Sequence, residues 1–363
     1  MSLSQIALPA SLVSSYSLSQ VISSSQANLP MSCSLTNNTL LLNSNCELEL
    51  DSSTVGDFYT QPEEQASIDA LADCEDPSLE LVVFSSITMK QLFGLTSTAA
   101  IEVTAINAIN NRNDLTSYRF QVRCHNPDES RKKIAKYSQQ HGIELALIEN
   151  APKLEEPGLL VMDMDSTTIE IECIDEIAAL AGVGKQVAEV TELAMQGELD
   201  FAQSLHQRVA TLKGAPETIL KQVTDNIPLM SGLIPLIEQL KTHGWRVAVA
   251  SGGFTYFADH LKELLKLDAT RANTLEIIEG YLTGKVLGEV VDAQVKADTL
   301  QALQHEYSLP AEQTVAMGDG ANDLIMMNAA SLGVAFHAKP IVTAQASCAI
   351  NHQGLDVLIH WLK

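Results

Sequence analysis

The stretch that most constrains this chain is Leu159-Leu160-Val161-Met162-Asp163-Met164-Asp165-Ser166-Thr167-Thr168. An unbroken apolar run follows Gly158 and then delivers two carboxylates one residue apart. A run this short, without polar alternation, fits a strand buried on both faces of a parallel sheet that helices cover from both sides. The two acids then stand at its carboxyl end, the rim where ligands bind in open α/β sheets. Residues 245–250 form a second such run, ending in Ser251-Gly252-Gly253-Phe254. Residues 314–317 form a third, ending in Gly318-Asp319-Gly320-Ala321-Asn322-Asp323, and Leu332–Phe336 a fourth. The expected fold is α/β, a doubly wound parallel sheet.

Between the first two strands, residues 169–181, 186–195, 200–212 and 216–223 read as helices, with Asp200 as the N-cap of the third. They predict a helical cap inserted at about 170–228. A helix is expected at Thr255–Leu265, a short extended excursion at 286–291, and a helix at 297–304 opened by Lys296. Upstream, Leu79–Phe84, 118–124 and 145–148 read as strands and 129–140 as a helix, an α+β pattern. The expected division is an α+β domain at 1–154 and the sheet domain at 155–363, joined near 153–157, where prolines and acids cluster. The upstream pattern resembles the small-molecule-binding ACT modules found beside amino-acid enzymes. A structural or dimerising domain, giving a homodimer through this portion, is the other reading.

Charge narrows the partners. Acids number 45 against 22 Lys and Arg, a formal net charge of -23, and such a chain repels nucleic-acid backbones and anionic membrane surfaces. Eleven of the acids fall between Glu47 and Glu80 with no Lys or Arg among them, which reads as a solvated surface. No apolar run approaches the roughly 18 residues of a membrane span. Residues 1–46 carry no charged side chain and so lack the basic start of a leader peptide, which sets a cytoplasmic expectation. The six cysteines are scattered, so reduced thiols are expected rather than a disulfide framework or a zinc site.

Asp163, Asp165, Asp319 and Asp323 would gather at one rim. Such a cluster of like charges is untenable unless it takes up protons or a cation. Magnesium, which takes oxygen ligands and keeps positions for water and phosphate, resolves it with few carboxylates. A carboxylate beside a divalent ion, with a second acid free to exchange a proton, suits phosphoryl transfer through an aspartyl-phosphate. Asp165 can protonate the leaving alkoxide and then take a proton from water. Ser251 and the Gly252 amide, at the start of a helix, can hold phosphate oxygens, and Lys296 can supply a fixed positive charge. On a helix from Asp200, Phe201, Leu205, Arg208 and Leu212 share a face, so Arg208 interrupts an apolar stripe and calls for an anionic partner.

Asp163-Met164-Asp165-Ser166-Thr167, Ser251-Gly252-Gly253, Lys296 and Gly318-Asp319-Gly320-Ala321-Asn322-Asp323 resemble, in order and spacing, the four motifs of the haloacid dehalogenase superfamily of phosphatases, over about residues 157–340. The segment Glu170-Ile171-Glu172-Cys173-Ile174-Asp175-Glu176-Ile177-Ala178 is similar to that of members acting on phosphoserine. The resemblance implies a nucleophile at Asp163 and a proton donor at Asp165. It implies Mg2+ held by Asp163, the Asp165 backbone carbonyl and Asp319, with Asp323 in support. Ser251, Gly252, Lys296 and Asn322 would contact the phosphate, and Glu172 and Arg208 the amino and carboxylate groups of the substrate. Met195 and Phe201 would close the cap. The implied reaction is hydrolysis of phosphoserine, the last step of serine synthesis. Another small phosphorylated amino acid, phosphoryl transfer to an alcohol, or a catalytically silent amino-acid sensor are the competing functions.

Overall fold

The computed structural model describes residues 4–9, 14–22, 29–36, 39–44, 79–196 and 198–363. The acidic stretch from residue 47 therefore lies outside the described residues up to Leu79. Two compact units are present. One comprises residues 1–151, 347–352 and 360–363, and the other 152–346 and 353–359. The predicted division left the whole carboxyl end with the sheet domain, whereas two of its segments pack into the first unit. Part of the reason is Arg119, buried with Glu80 in an ion pair of 2.8 Å. Its Nη2 also donates to the carbonyls of His360, Trp361 and Leu362 at 3.2, 3.0 and 2.8 Å. A buried guanidinium requires such acceptors.

The first unit runs β1 (Ser4–Pro9), α1 (Leu18–Val21), β2 (Met31–Thr36), β3 (Thr39–Ser44), β4 (Leu79–Phe84), α2 (Met89–Ala99), β5 (Ile101–Arg112), β6 (Leu115–Cys124), α3 (Pro127–His141) and β7 (Leu145–Glu149). α3 begins where Asn126 accepts from Glu129 N, with Pro127 at its first position, and ends at Gly142 in the left-handed conformation. The strands form one sheet in the order β1-β3-β2-β5-β6-β4-β7. That order contains a repeat. β1-α1-β2-β3 and β4-α2-β5-β6 have the same connectivity, and they meet where β2 pairs antiparallel with β5.

The repeat is visible in the residues. Ser14-Ser15-Tyr16-Ser17-Leu18-Ser19-Gln20 matches Ser85-Ser86-Ile87-Thr88-Met89-Lys90-Gln91 in its serines, its helix caps and its glutamines. Gln20 Oε1 accepts from Ser17 N at 2.8 Å, and Gln91 Oε1 accepts from Thr88 N at 3.0 Å. The turns are bonded reciprocally: Leu18 N donates to Ile87 O and Met89 N to Tyr16 O, each at 2.8 Å.

In the second unit, β8 (Leu159–Met162) is followed by α4 (Cys173–Leu180), α5 (Gly184–Met195), α6 (Phe201–Thr211) and α7 (Thr218–Thr224), the inserted helices. Then come α8 (Leu233–Thr242), β9 (Arg246–Phe254), α9 (Thr255–Leu265), β10 (Ala269–Ile278), β11 (Tyr281–Leu287), α10 (Ala293–Glu306), β12 (Thr314–Gly318), α11 (Leu324–Ala329) and β13 (Leu332–Phe336). These strands lie in the order β11-β10-β9-β8-β12-β13, parallel except for the β10–β11 hairpin. β8 sits between β9 and β12, so successive connections leave it in opposite directions and open a crevice at its carboxyl end. All four residues of β8 are buried, as a strand covered on both faces requires. Three local expectations change. The first cap helix starts at Cys173, after a turn in which Thr167, Thr168 and Ile169 N–H groups donate to Met164 O. The extended excursion is the earlier hairpin β10–β11, turned at Glu279 and Gly280 with φ of 52° and 79°. Lys296 lies inside α10, because Asp292 caps the helix by accepting from Gln294 N and Val295 N.

Candidate active site

Asp163 continues the β8 ladder, its N–H donating to Met317 O at 2.9 Å, and its side chain is buried at the strand end. Asp163 Oδ1 accepts from Met164 N at 2.7 Å. Lys296 Nζ lies 2.9 Å from Asp163 Oδ2 and 2.7 Å from Asp323 Oδ1. The other Asp323 oxygen accepts from Gly320 N at 3.0 Å. Gly318 is required here, since a Cβ at that position would overlap the Asp323 side chain. Asp319 Oδ1 accepts from Thr167 Oγ1 at 3.3 Å, a tie from the first acidic turn to the second.

Carboxylate oxygens of Asp163, Asp319 and Asp323 lie within 4.8 Å of one another. Burial and the neighbouring Asp163 charge raise the pKa of both Asp319 and Asp323. Burial alone would lower that of Lys296, but Asp163 and Asp323 together outweigh it and hold the ammonium charged. Three carboxylates against one ammonium leave a formal charge of -2, the charge that one divalent cation balances. All the donors are oxygens, which suits a hard ion.

Asp165 stands apart from that cluster. Its Oδ1 accepts from Cys173 N, at the first turn of α4, at 3.3 Å. Burial, then Glu172 and Asp163, push its carboxyl up to about 8, so it keeps a proton near neutral pH. Ser166, next in the chain, has φ of 57°, and its Oγ donates to Glu172 Oε1 at 2.7 Å. Withdrawal from water, with Asp319, Asp163 and Asp175 adding to it, raises the Glu172 carboxyl against the opposing Ser166 bond.

A cleft of about 450 Å³ is lined by Asp163, Asp165, Glu172, Phe201, Arg208, Ser251, Gly252, Asp319 and Asn322, bringing these sequence candidates together. Lys296 and Asp323 lie beneath it, 0% exposed. Met195 ends α5, and its side chain lies outside the described residues. Phe201 covers the Ser251-Gly252-Gly253 turn so closely that a Cβ on Gly252 would come within 2.5 Å of Phe201 Cζ. Arg208 faces the cleft with its Nε buried and unpartnered. Burial lowers its pKa, opposed by Asp175, Glu172 and Asp165. The sequence reading missed Thr167, which bonds Asp319 from within the first acidic motif, and the cap residues Thr191, Ala194 and Ser204, which line the cleft.

A model of the haloacid dehalogenase-like hydrolases matches residues 158–331. Phosphoserine phosphatase of Haemophilus influenzae is 58% identical over 224 residues, 62% of this chain and 71% of that protein. The chain belongs to the phosphoserine phosphatase family of haloacid dehalogenase-like hydrolases. The crystal structure of a probable phosphoserine phosphatase from Vibrio cholerae, unliganded, is similar at a TM-score of 0.65 and 47% identity, over 79% of this chain and 86% of that one. A phosphoserine phosphatase carrying an analogue of the phospho-aspartyl intermediate is similar at 0.54 and 40% identity, over 57% of this chain and 100% of that one. Its membership makes this chain a hydrolase.

Proposed function

We propose that this chain hydrolyses O-phospho-L-serine to L-serine and phosphate through an aspartyl-phosphate on Asp163, with Mg2+ as cofactor, in the cytoplasm, as the last step of serine biosynthesis. One juxtaposition carries the reading: the Asp163–Asp165 pair shares a cleft with an acid, Glu172, and a cation, Arg208, whose Nε is buried without a hydrogen-bond partner. Those two charges match the ammonium and carboxylate of an amino acid whose phosphate end would lie at Ser251 and Lys296. The relatives' own substrate and the intermediate analogue in the solved neighbour support it.

Asp163 is held at both oxygens, by the Met164 amide and by Lys296, which fixes its carboxylate for in-line attack. Attack forms a bond from the Asp163 oxygen to phosphorus and breaks the bond from phosphorus to the serine oxygen. The departing alkoxide takes the proton of Asp165. Asp165, now charged, accepts a proton from water as that water attacks phosphorus, and the bond to Asp163 breaks to release phosphate. Ser251, the Gly252 amide, Asn322 and Lys296 hold the phosphate oxygens during both steps. Magnesium, held by Asp163, the Asp165 carbonyl and Asp319 with Asp323 in support, supplies neutralisation of negative charge on carboxylate and phosphate. Among the described residues no helix is long and apolar enough to cross a membrane. A homodimer through the amino-terminal unit, also part of this proposal, would join on faces other than the β2–β5 seam, already paired within one chain.

Phosphate release from phosphoserine, measured with magnesium and with a chelator, tests the reaction; turnover is expected only with the metal. Glu172→Gln and Arg208→Ala should each raise KM for phosphoserine by roughly 10- to 100-fold, the loss of a charge-assisted contact, with little change for an aryl phosphate. Equal losses on both substrates would remove these roles. No turnover with magnesium would leave a binding protein in place of the enzyme.

A further inference from the structure

Asn273 is 1% exposed, belongs to none of the motifs, and makes two hydrogen bonds of 2.8 Å. Its Nδ2 donates to Gly252 O, and its Oδ1 accepts from Val291 N, next to the Asp292 cap of the helix that carries Lys296. The ladder between β9 and β10 explains why an amide is needed there. Arg271 pairs with Ala250 but Asn273 pairs with Phe254, so Ser251, Gly252 and Gly253 bulge out of register. The Gly252 carbonyl loses its strand partner at the bulge, and the Asn273 side chain supplies the donor instead.

The Gly252 carbonyl and the Gly253 N–H belong to one planar trans peptide and point in opposite directions. The Gly253 N–H donates to Ser251 Oγ at 2.9 Å. Fixing the carbonyl therefore fixes the N–H, and the N–H occupies an acceptor site of the Ser251 hydroxyl. The hydroxyl hydrogen is then left to point into the cleft. We infer that Asn273 is a positioning residue for the phosphate subsite, aiming the Ser251 hydroxyl through the Gly252–Gly253 peptide and tying that turn to the segment that leads to Lys296. This rests on the phosphate-side role proposed above for Ser251.

The test uses the full chain with magnesium and compares Asn273→Ala, Asn273→Asp, Ser251→Ala and the Asn273→Asp/Ser251→Ala double variant. The aspartate is isosteric and can still accept from Val291 N, but in its charged form it has no donor for Gly252 O. Readouts are KM for phosphoserine and for an aryl phosphate, the inhibition constant of inorganic phosphate, and the thermal midpoint. Each Asn273 variant should weaken inorganic phosphate and raise KM for both substrates by a similar factor, about tenfold. In the Ser251→Ala background the further loss from Asn273→Asp should shrink to within about twofold, because both changes act on one hydroxyl. Unchanged phosphate inhibition with a lowered thermal midpoint, multiplicative losses in the double variant, or failure of both Asn273 variants to fold would each overturn the inference. If Ser251→Ala itself leaves phosphate inhibition unchanged, the phosphate-side assignment fails instead.

Discussion

Replacing Lys296 with methionine removes the ammonium that bridges two buried acids while keeping a side chain of similar length. Nζ lies 2.9 Å from Asp163 and 2.7 Å from Asp323, and the residue is 0% exposed. At an effective dielectric of about 20, each contact represents roughly 6 kcal/mol of attraction, offset by several kcal/mol for withdrawing the ions from water. Removing one partner of such a group leaves uncompensated buried charge, which costs about 3–5 kcal/mol. The local formal charge passes from -2 to -3, since Asp163, Asp319 and Asp323 stay while the lysine goes. Urea unfolding in chelator at neutral pH should show that loss for Lys296→Met. Saturating magnesium should then recover more stability in the variant than in the parent, because the ion meets a larger unbalanced charge. A loss below about 1 kcal/mol in chelator, within the range of an ordinary surface change, would refute the account of Lys296 as the internal counter-ion.

Two further outcomes follow from the same rim. The Asp165 carboxyl rises from 3.8 to about 8 on folding, so its contribution is fully present below the lower value and is lost as pH climbs through the upper one. Metal-free protein should lose stability across that interval, and Asp165→Asn should flatten the decline in urea midpoints taken at stepped pH; parallel profiles for the two proteins would contradict it. Gly318→Ala pushes a methyl group into Asp323 and should cost about 1–3 kcal/mol while weakening magnesium binding in calorimetric titration. An unaltered titration would separate Asp323 from the metal.

The parts of this molecule legible in its sequence are those where one residue type has one physical reading. Buried apolar runs ending in acids located the strand ends, and Thr255–Leu265 and Leu332–Phe336 have the bounds their patterns predict. α8, for which no pattern sets an expectation, carries Pro235 in its first turn, where proline is tolerated. β10 escaped because Thr270, Arg271, Asn273 and Thr274 look like a loop; one of them, Asn273, serves the bulge in β9 rather than water. The pattern sets Lys296 at the start of its helix, because the Asp292 cap four residues earlier shows only in its bonds to Gln294 N and Val295 N. Asn273 gives no signal of its own, since an asparagine acquires meaning only from the carbonyl that a distant strand presents to it. The matching serines, caps and glutamines at 14–20 and 85–91 were present in the sequence, but seven residues of small polar character are a faint repeat until the hydrogen bonds between them are seen.

That internal repeat has a consequence for how the amino-terminal unit can change. In an assembly of identical subunits every substitution occurs on both sides of the axis at once. Here the two halves are encoded separately, so residue 16 can be tyrosine while its counterpart at 87 is isoleucine, and residue 19 serine while 90 is lysine. Their association is also unimolecular, so dilution does not part them. Each face is free to acquire its own chemistry while the other keeps the seam closed.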